Sequence, residues 1–223
     1  MSVRLFCFLI TFLVANSVFS QEASYARQLS EYSDEFVFNE GIYISFKDFR
    51  DNDPIPKELI ISKLDANDES FLKNVLDLPE FSYCDTEGKV YKIAIDKVWG
   101  FNQNGNLYIN IQNKFNRVLI IGKICHFVAT VTTYVTTFNG PNSFYGFGQN
   151  GMMRVPTTEL KQLILDFDSG KIQDFSIENL EEILSRDATL LKEFQDVPAR
   201  KKKDMLLVFL RKYNSKYQTY FPE

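Results

Sequence analysis

Lys97-Val98-Trp99-Gly100-Phe101, the residues Asn102 to Asn106, and Leu107-Tyr108-Ile109-Asn110-Ile111 decide the fold class of this chain. Asn104-Gly105 stands between two apolar runs. Both residue types tolerate the positive φ of a tight turn, so the stretch predicts a β-hairpin. Leu107, Ile109 and Ile111 share its inner face, and Tyr108, Asn110 and Gln112 its outer face. The hairpin holds the only tryptophan. Gly100 reads as a bulge or close-packing point that lets Trp99 and Phe101 settle against neighbouring strands. Trp99 is therefore expected in the core, not on the surface as a stacking platform for a ligand.

The period of two continues on both sides. Residues 81–84 and 89–95 flank Asp85-Thr86-Glu87-Gly88, which is hairpin composition. Residues 113–116 read as the next turn, followed by a strand at 117–121, a break at Gly122 and a long β-branched run over 123–138. Residues 162–167 and 171–175 form a last hairpin around Asp168-Ser169-Gly170. Upstream, residues 41–44 and 59–64 read as strands, with Ser45 capping a short turn through Phe49. Residues 71–78 fit helix or strand, and residues 21–33 fit a short amphipathic helix or a loosely held leader.

From Ser176 the period becomes 3.6. Ser176 is an N-cap for a helix presenting Ile177, Leu180, Ile183 and Leu184, and Asp187 caps a second carrying Leu190, Leu191 and Phe194. After Pro198 a third presents Leu206, Phe209, Leu210, Tyr213 and Tyr217. The expected fold is α+β: an antiparallel β-meander over about 41–175, then about three amphipathic helices over about 176–218, in a single domain spanning 21–223. The charged helical tail argues against an outer-membrane barrel.

Residues 1–20 have the layout of a secretory signal: a positive start at Arg4, an apolar run over 5–14, and small or polar residues up to Ser20. That run is shorter than the ~20 residues of a membrane span, and no later stretch is apolar enough. The expected product is exported, periplasmic, surface-associated or secreted, with no transmembrane segment after signal removal. Losing Arg4 moves the net charge from −4 to −5, which gives no electrostatic reason to bind nucleic acid. The 21 Phe and 11 Tyr point to an aromatic-packed interior. Cys84 and Cys125 remain after processing. An even pair in an oxidising compartment invites a disulfide, against the alternative of two separate buried thiols.

Catalytic signatures are sparse. His126, the only histidine, follows Cys125 on a strand, so the two point to opposite faces and cannot share a metal. No Gly-x-Ser-x-Gly elbow or phosphate-binding glycine pattern is present, so His126 reads as structural. Asp166-Phe167-Asp168-Ser169-Gly170 opens like a calcium loop but places Gly170, Lys171 and Ile177 where that loop needs an oxygen ligand, Gly and Glu. It reads as a hairpin turn, and Asp48, Asp51 and Asp53 read as a solvated turn. No cofactor and no metal are implied.

Residues 139–156 carry four glycines interleaved with Phe144, Tyr145, Phe147, Met152 and Met153. One reading is a crossover covering an edge of the core; the sharper one is a ligand or partner contact through those five residues. Arg200-Lys201-Lys202-Lys203 reads as a solvated helix face paired with Glu181 and Glu182, with contact to anionic lipid as the alternative.

Gly41-Ile42-Tyr43-Ile44-Ser45-Phe46-Lys47-Asp48-Phe49, Val98-Trp99-Gly100-Phe101 and Tyr108-Ile109-Asn110 carry a resemblance. So do Leu163-Ile164-Leu165-Asp166-Phe167, Ser169-Gly170, Phe175 and the helical tail. Together they resemble a group of uncharacterised exported proteins of Bacteroidetes-type bacteria, a domain of unknown function. The resemblance covers most of the mature chain and implies export and a single domain, but no activity. The function expected is an exported, non-catalytic binding or scaffolding module of the bacterial envelope, its partner an envelope protein or small ligand. The alternative is a carboxylate-dependent hydrolase acting on envelope or dietary polymers.

Overall fold

A computed structural model describes residues 28–33, 35–138 and 152–223. In chain order the first half contains β1 (Leu29–Glu31), β2 (Gly41–Tyr43), α1 (Phe46–Arg50), β3 (Ile60–Ile61), α2 (Phe71–Leu76), β4 (Glu80–Cys84) and β5 (Val90–Ala94). The long sheet strands follow as β6 (Gly100–Gln103), β7 (Asn106–Ile111), β8 (Lys114–Ile120), β9 (Ile124–Phe138), β10 (Met152–Asp166) and β11 (Ile172–Asp174). The chain closes with α3 (Ile177–Leu184), α4 (Ala188–Gln195), α5 (Ala199–Lys216) and β12 (Tyr220–Pro222). Antiparallel sheets followed by a cluster of three helices make this the α+β fold that the change of period predicts.

Seven strands form one sheet in the order β11-β10-β9-β8-β7-β6-β2. It is the expected meander, extended at one edge by β2. The Asn104-Gly105 turn joins β6 to β7 with both residues at positive φ, as the sequence predicts. The next turn differs from expectation. Gln112 and Asn113 also take positive φ, and Ile111 pairs with Lys114, so β8 starts three residues before the predicted Arg117.

One face of the sheet carries an aromatic core. Leu107, Ile109, Cys125, Phe127, Leu163 and Leu165 pack there against Phe38, Phe49 and Phe221. The opposite face is divided. Over β9 and β10, Ile124 and Ile164 pack under α3, α4 and α5. At the other end, Ile42 and Phe101 pack under α2 and the three-stranded sheet β3-β4-β5. This second cover corrects the expectation that Tyr108 and Asn110 face outward. Tyr108 stacks on Phe101 at 4.6 Å, and Asn110 Nδ2 donates to the carbonyls of Ile95 and Val98, each at 2.9 Å.

Trp99 is half-buried just before β6, and its ring stacks on Phe49 at 4.9 Å with a 17° interplanar angle. Phe101, two residues on, packs on the opposite side under the small sheet. Gly100 is the close-packing point between them: a Cβ there would lie 2.3 Å from the Tyr108 carbonyl oxygen. The tryptophan therefore belongs to the aromatic core, as its sequence context indicates, though at the rim and not the centre.

Several local readings are corrected. Of the stretch read as helix or leader, Leu29–Glu31 is a strand paired with Tyr220–Pro222 at the far end of the chain. Pairing between segments so distant in sequence leaves no local pattern. The strand expected over 59–64 is only Ile60–Ile61, because Ser62 and Asp65 accept hydrogen bonds from the backbone of Leu64 and Asn67 and turn the chain. Residues 71–76 are helical. Pro156, assigned above to an irregular segment, lies within β10 opposite Tyr134. Among the described residues no helix is long and apolar enough to cross a membrane.

The caps fall as predicted. Ser45 and Asp48 form a reciprocal capping box on α1, which commits the Asp48 carboxylate to the Ser45 amide at 2.7 Å. Ser176 accepts from Asn179 N, and Asp187 from the amides of Thr189 and Leu190. Cys84 and Cys125 are both free cysteines, Cys84 half-buried and Cys125 buried, on different sheets. Cys125 is buried in the aromatic core, donates to the Gly122 carbonyl at 3.4 Å, and has its pKa pushed up to about 12 by that burial. It stays a thiol at any ordinary pH and behaves as a packing residue.

Candidate functional site: an extended arm and the groove at its foot

β9 and β10 are fifteen residues each and pair along their whole length, from Ile124 opposite Asp166 to Phe138 opposite Met152. At the rise of an extended strand this ribbon is roughly 50 Å long. Its neighbours are short. β8 pairs with β9 only near Phe127 and His126, and β11 with β10 only at residues 163–165. Beyond them, residues 133–138 and 152–157 form a two-stranded arm with no further strand beside it among the described residues, and the outer edge of β10 is open over residues 158–161 as well.

An isolated two-stranded ribbon is marginal in water, so its composition matters. The β-branched run Thr130-Val131-Thr132-Thr133 suits the extended backbone. Thr132 and Thr158 hydroxyls meet across the strands at 3.5 Å, and Thr133 Oγ1 donates to the Thr157 carbonyl at 3.3 Å. Pro156, Glu159 and Lys161 discourage indiscriminate pairing along the outer edge of β10.

The register sorts the arm into two faces. Val128, Thr130, Thr132 and Tyr134 share one with Gln162, Leu160, Thr158 and Pro156. On it Tyr134 is 66% and Leu160 76% exposed, which is unusual for large apolar side chains pairing within one sheet. Val135 and Val155 are exposed on the other face.

The first face descends into an open groove of about 740 Å³ where the arm meets the helices. Leu160, Phe175, Ile177, Leu206 and Leu207 supply its apolar walls, with Gln162, Lys161, Asp174, Glu178, Lys203 and Asp204 among its polar and charged lining. Lys161 lies 3.3 Å from Asp174 and 3.5 Å from Glu159. The Glu178 carboxyl is held below its usual value by the backbone amide at the start of α3 and by Ser176. That direction is opposite to the raised pKa a general acid needs at neutral pH.

His126 is buried behind this groove. Its Nε2 lies 3.1 Å from Gln162 Oε1 and its ring 5.0 Å from that of Phe175. Burial lowers its pKa, the Gln162 contact opposing this in part, so the imidazole is neutral at pH 7. Its partner is an amide where a catalytic triad would place a carboxylate. The Asp166 turn is likewise structural. Asp166 is buried and bidentate with Arg186, at 2.8 and 2.6 Å, and accepts from Ser169 Oγ at 2.5 Å. The turn between β10 and β11 is thereby clamped to the end of α3.

Of the contact residues singled out from sequence, Phe144, Tyr145 and Phe147 lie outside the described residues. Met152 and Met153 open β10, in register with Phe138 and Thr137. Tyr134 and Leu160 escaped the sequence reading. The available signal was a large apolar residue among Thr and charged neighbours, Thr157-Thr158-Glu159-Leu160-Lys161, at a position that pairing with Thr130 leaves outward.

No curated protein and no solved structure matches the chain. Residues 41–217, which span β2 to the end of α5, match the family of unknown function DUF6563, and the chain belongs to that family.

Proposed function

We propose that the protein is an exported, non-catalytic binding or scaffolding module of the bacterial envelope that holds a partner protein along the Tyr134–Leu160 face of the arm and in the groove below. The observation that carries this reading is the exposure of Tyr134 and Leu160, 66% and 76%, on one face of a ribbon that no other strand covers. A long extended face ending in an apolar groove with charged margins fits a polypeptide segment better than a compact small molecule. The secretory layout of residues 1–20 supports export. The lowered pKa of Glu178 and the amide partner of His126 support binding over hydrolysis.

The test is a pair of substitutions, Tyr134→Ser with Leu160→Asp, at exposed positions where folding should be spared. Capture of envelope proteins by the parent and loss of the same proteins by the variant, at unchanged melting temperature, is the expected result. Identical capture by both chains contradicts the reading.

A further inference from the structure

The cations of α5 divide into two sets. Lys202 turns inward, with Nζ 2.7 Å from Glu181 Oε1 and 5.2 Å from the Phe194 ring centroid. Lys212 pairs with Glu193 at 2.9 Å, and Lys216 with Asp187. Arg200, Lys201, Lys203 and Arg211 are exposed and form no ion pair among the described residues. The solvated, acid-paired face expected from sequence thus accounts for one member of the basic run and leaves three unpaired.

These unpaired cations share one side of the helix. At about 100° per residue, Arg200, Leu207, Val208 and Arg211 fall opposite the buried stripe of Leu206, Phe209, Leu210 and Tyr213, with Lys201 and Lys203 flanking them. Leu207 and Val208 are 37% and 41% exposed in the middle of that face. Seven Lys and Arg against the single Asp204 give α5 a net charge of +6, in a chain whose total is −4. The rest of the chain therefore carries −10, and the positive field is concentrated on this helix.

We propose that the outer face of α5 docks on an anionic lipid bilayer, its unpaired cations meeting lipid phosphates while Leu207 and Val208 enter the headgroup layer. Around Val208, Arg211 and Ser215 the face offers only an open depression, and on its other flank Lys203 and Leu207 border the groove at the foot of the arm. Cations spread over the outside of one helix on both sides of Leu207 and Val208 suit a planar anionic surface. Two apolar side chains set between the cations are also useful at a lipid interface, where they leave water as the charges bind.

Vesicle flotation tests this with the chain starting at Gln21, which contains every described residue and lacks the apolar run of residues 5–14. Vesicles of phosphatidylcholine with about one third phosphatidylglycerol should carry the protein, pure phosphatidylcholine should not, and raising salt from about 0.05 to 0.5 M should release it. The variant Lys201→Glu, Lys203→Glu, Arg211→Glu should lose at least roughly 100-fold in partitioning, each lost cation being worth about fivefold and each added carboxylate repelling the surface further. Leu207→Ser with Val208→Ser should weaken vesicle binding with every charge retained. Tyr134→Ser, on the arm and away from the groove that Lys203 and Leu207 border, should float like the parent, which separates this surface from the arm. Circular dichroism checks each fold, and Lys201→Gln with Lys203→Gln replaces the reversal variant if that one unfolds. A parent that stays with the soluble fraction, or a charge variant that floats equally, overturns the proposal. So does binding of polyglutamate as tight as that of vesicles and indifferent to Leu207 and Val208, which assigns the face to an acidic polypeptide.

Discussion

The side-chain amide of Gln112 occupies both backbone groups of Thr132: Thr132 N donates to Gln112 Oε1 at 2.8 Å, and Gln112 Nε2 donates to the Thr132 carbonyl at 3.2 Å. A side chain thereby does the work of a strand, beyond Phe127, the last residue of β9 that pairs with β8. It marks where the sheet ends and the free arm begins.

Gln112→Ala should therefore loosen the arm at its root. A net loss of about 1 kcal/mol is expected from two solvent-exposed hydrogen bonds. Amide exchange at Thr132 should accelerate while Phe127 and Ala129, in the core, keep their protection. Unchanged exchange at Thr132 would show that the contact does not hold the edge.

The Phe49–Trp99 stack sets the rim of the aromatic core. Phe49 is fully buried, so Phe49→Ala should cost ~3–5 kcal/mol. Trp99 is half-buried, so Trp99→Ala should cost less, about 2–3 kcal/mol. Urea denaturation of the two variants checks the order. A Trp99 variant as stable as the parent would make the ring a surface feature.

Arg186→Ala should strip the counter-charge from Asp166, which is 3% exposed. Breaking a fully buried pair costs ~3–5 kcal/mol, and the 39% exposure of the arginine side chain lowers the expected cost to about 2–3 kcal/mol. The companion Asp166→Asn should recover part of it, because it removes the stranded charge. Denaturation of the single and double variants measures this coupling.

Acid should destabilise the protein in two steps. Burial lowers the pKa of His126, so the unfolded chain takes up that proton first, and stability falls as pH drops below the unfolded value near ~6.5. Burial raises the pKa of Asp166, but Arg186 and Ser169 outweigh it and hold the carboxyl below its usual range. Asp187 is held at about 2, first by Lys216 and then, against burial, by its helix-cap amides and Tyr217. Both carboxylates stabilise the fold above the unfolded value near ~3.9, and that contribution is lost as pH falls through their folded values. His126→Phe should abolish the upper step and leave the lower one. Melting temperatures from about pH 1.5 to pH 8 read out both.

The parts of this fold written into local chemistry were legible in the sequence. Ser45, Ser176 and Asp187 each satisfy backbone groups a few residues away, and Asn104-Gly105 takes the positive φ of its turn, so the residue type names the turn or cap. Gln112-Asn113 makes the same tight turn with a residue that seldom leads one, and its register slipped. The outer face of β7 was misread because the small sheet that covers Tyr108 is built from residues 60–94, which no period within β7 reports. The pairing of β1 with β12 joins opposite ends of the chain and has no local signature. The groove likewise assembles Leu160 from a strand and Leu207 from a helix, and each alone reads as an ordinary exposed leucine.

Site-specific photo-cross-linking tests the binding reading most directly. A photoreactive residue replaces Leu160 in one chain and Val90, an exposed apolar residue of the small sheet, in another, and each is irradiated in an envelope extract. The account predicts discrete adducts from position 160, suppressed by an excess of unlabelled parent chain, and none from position 90. Adducts of the same pattern from both positions, or none from position 160, would contradict it.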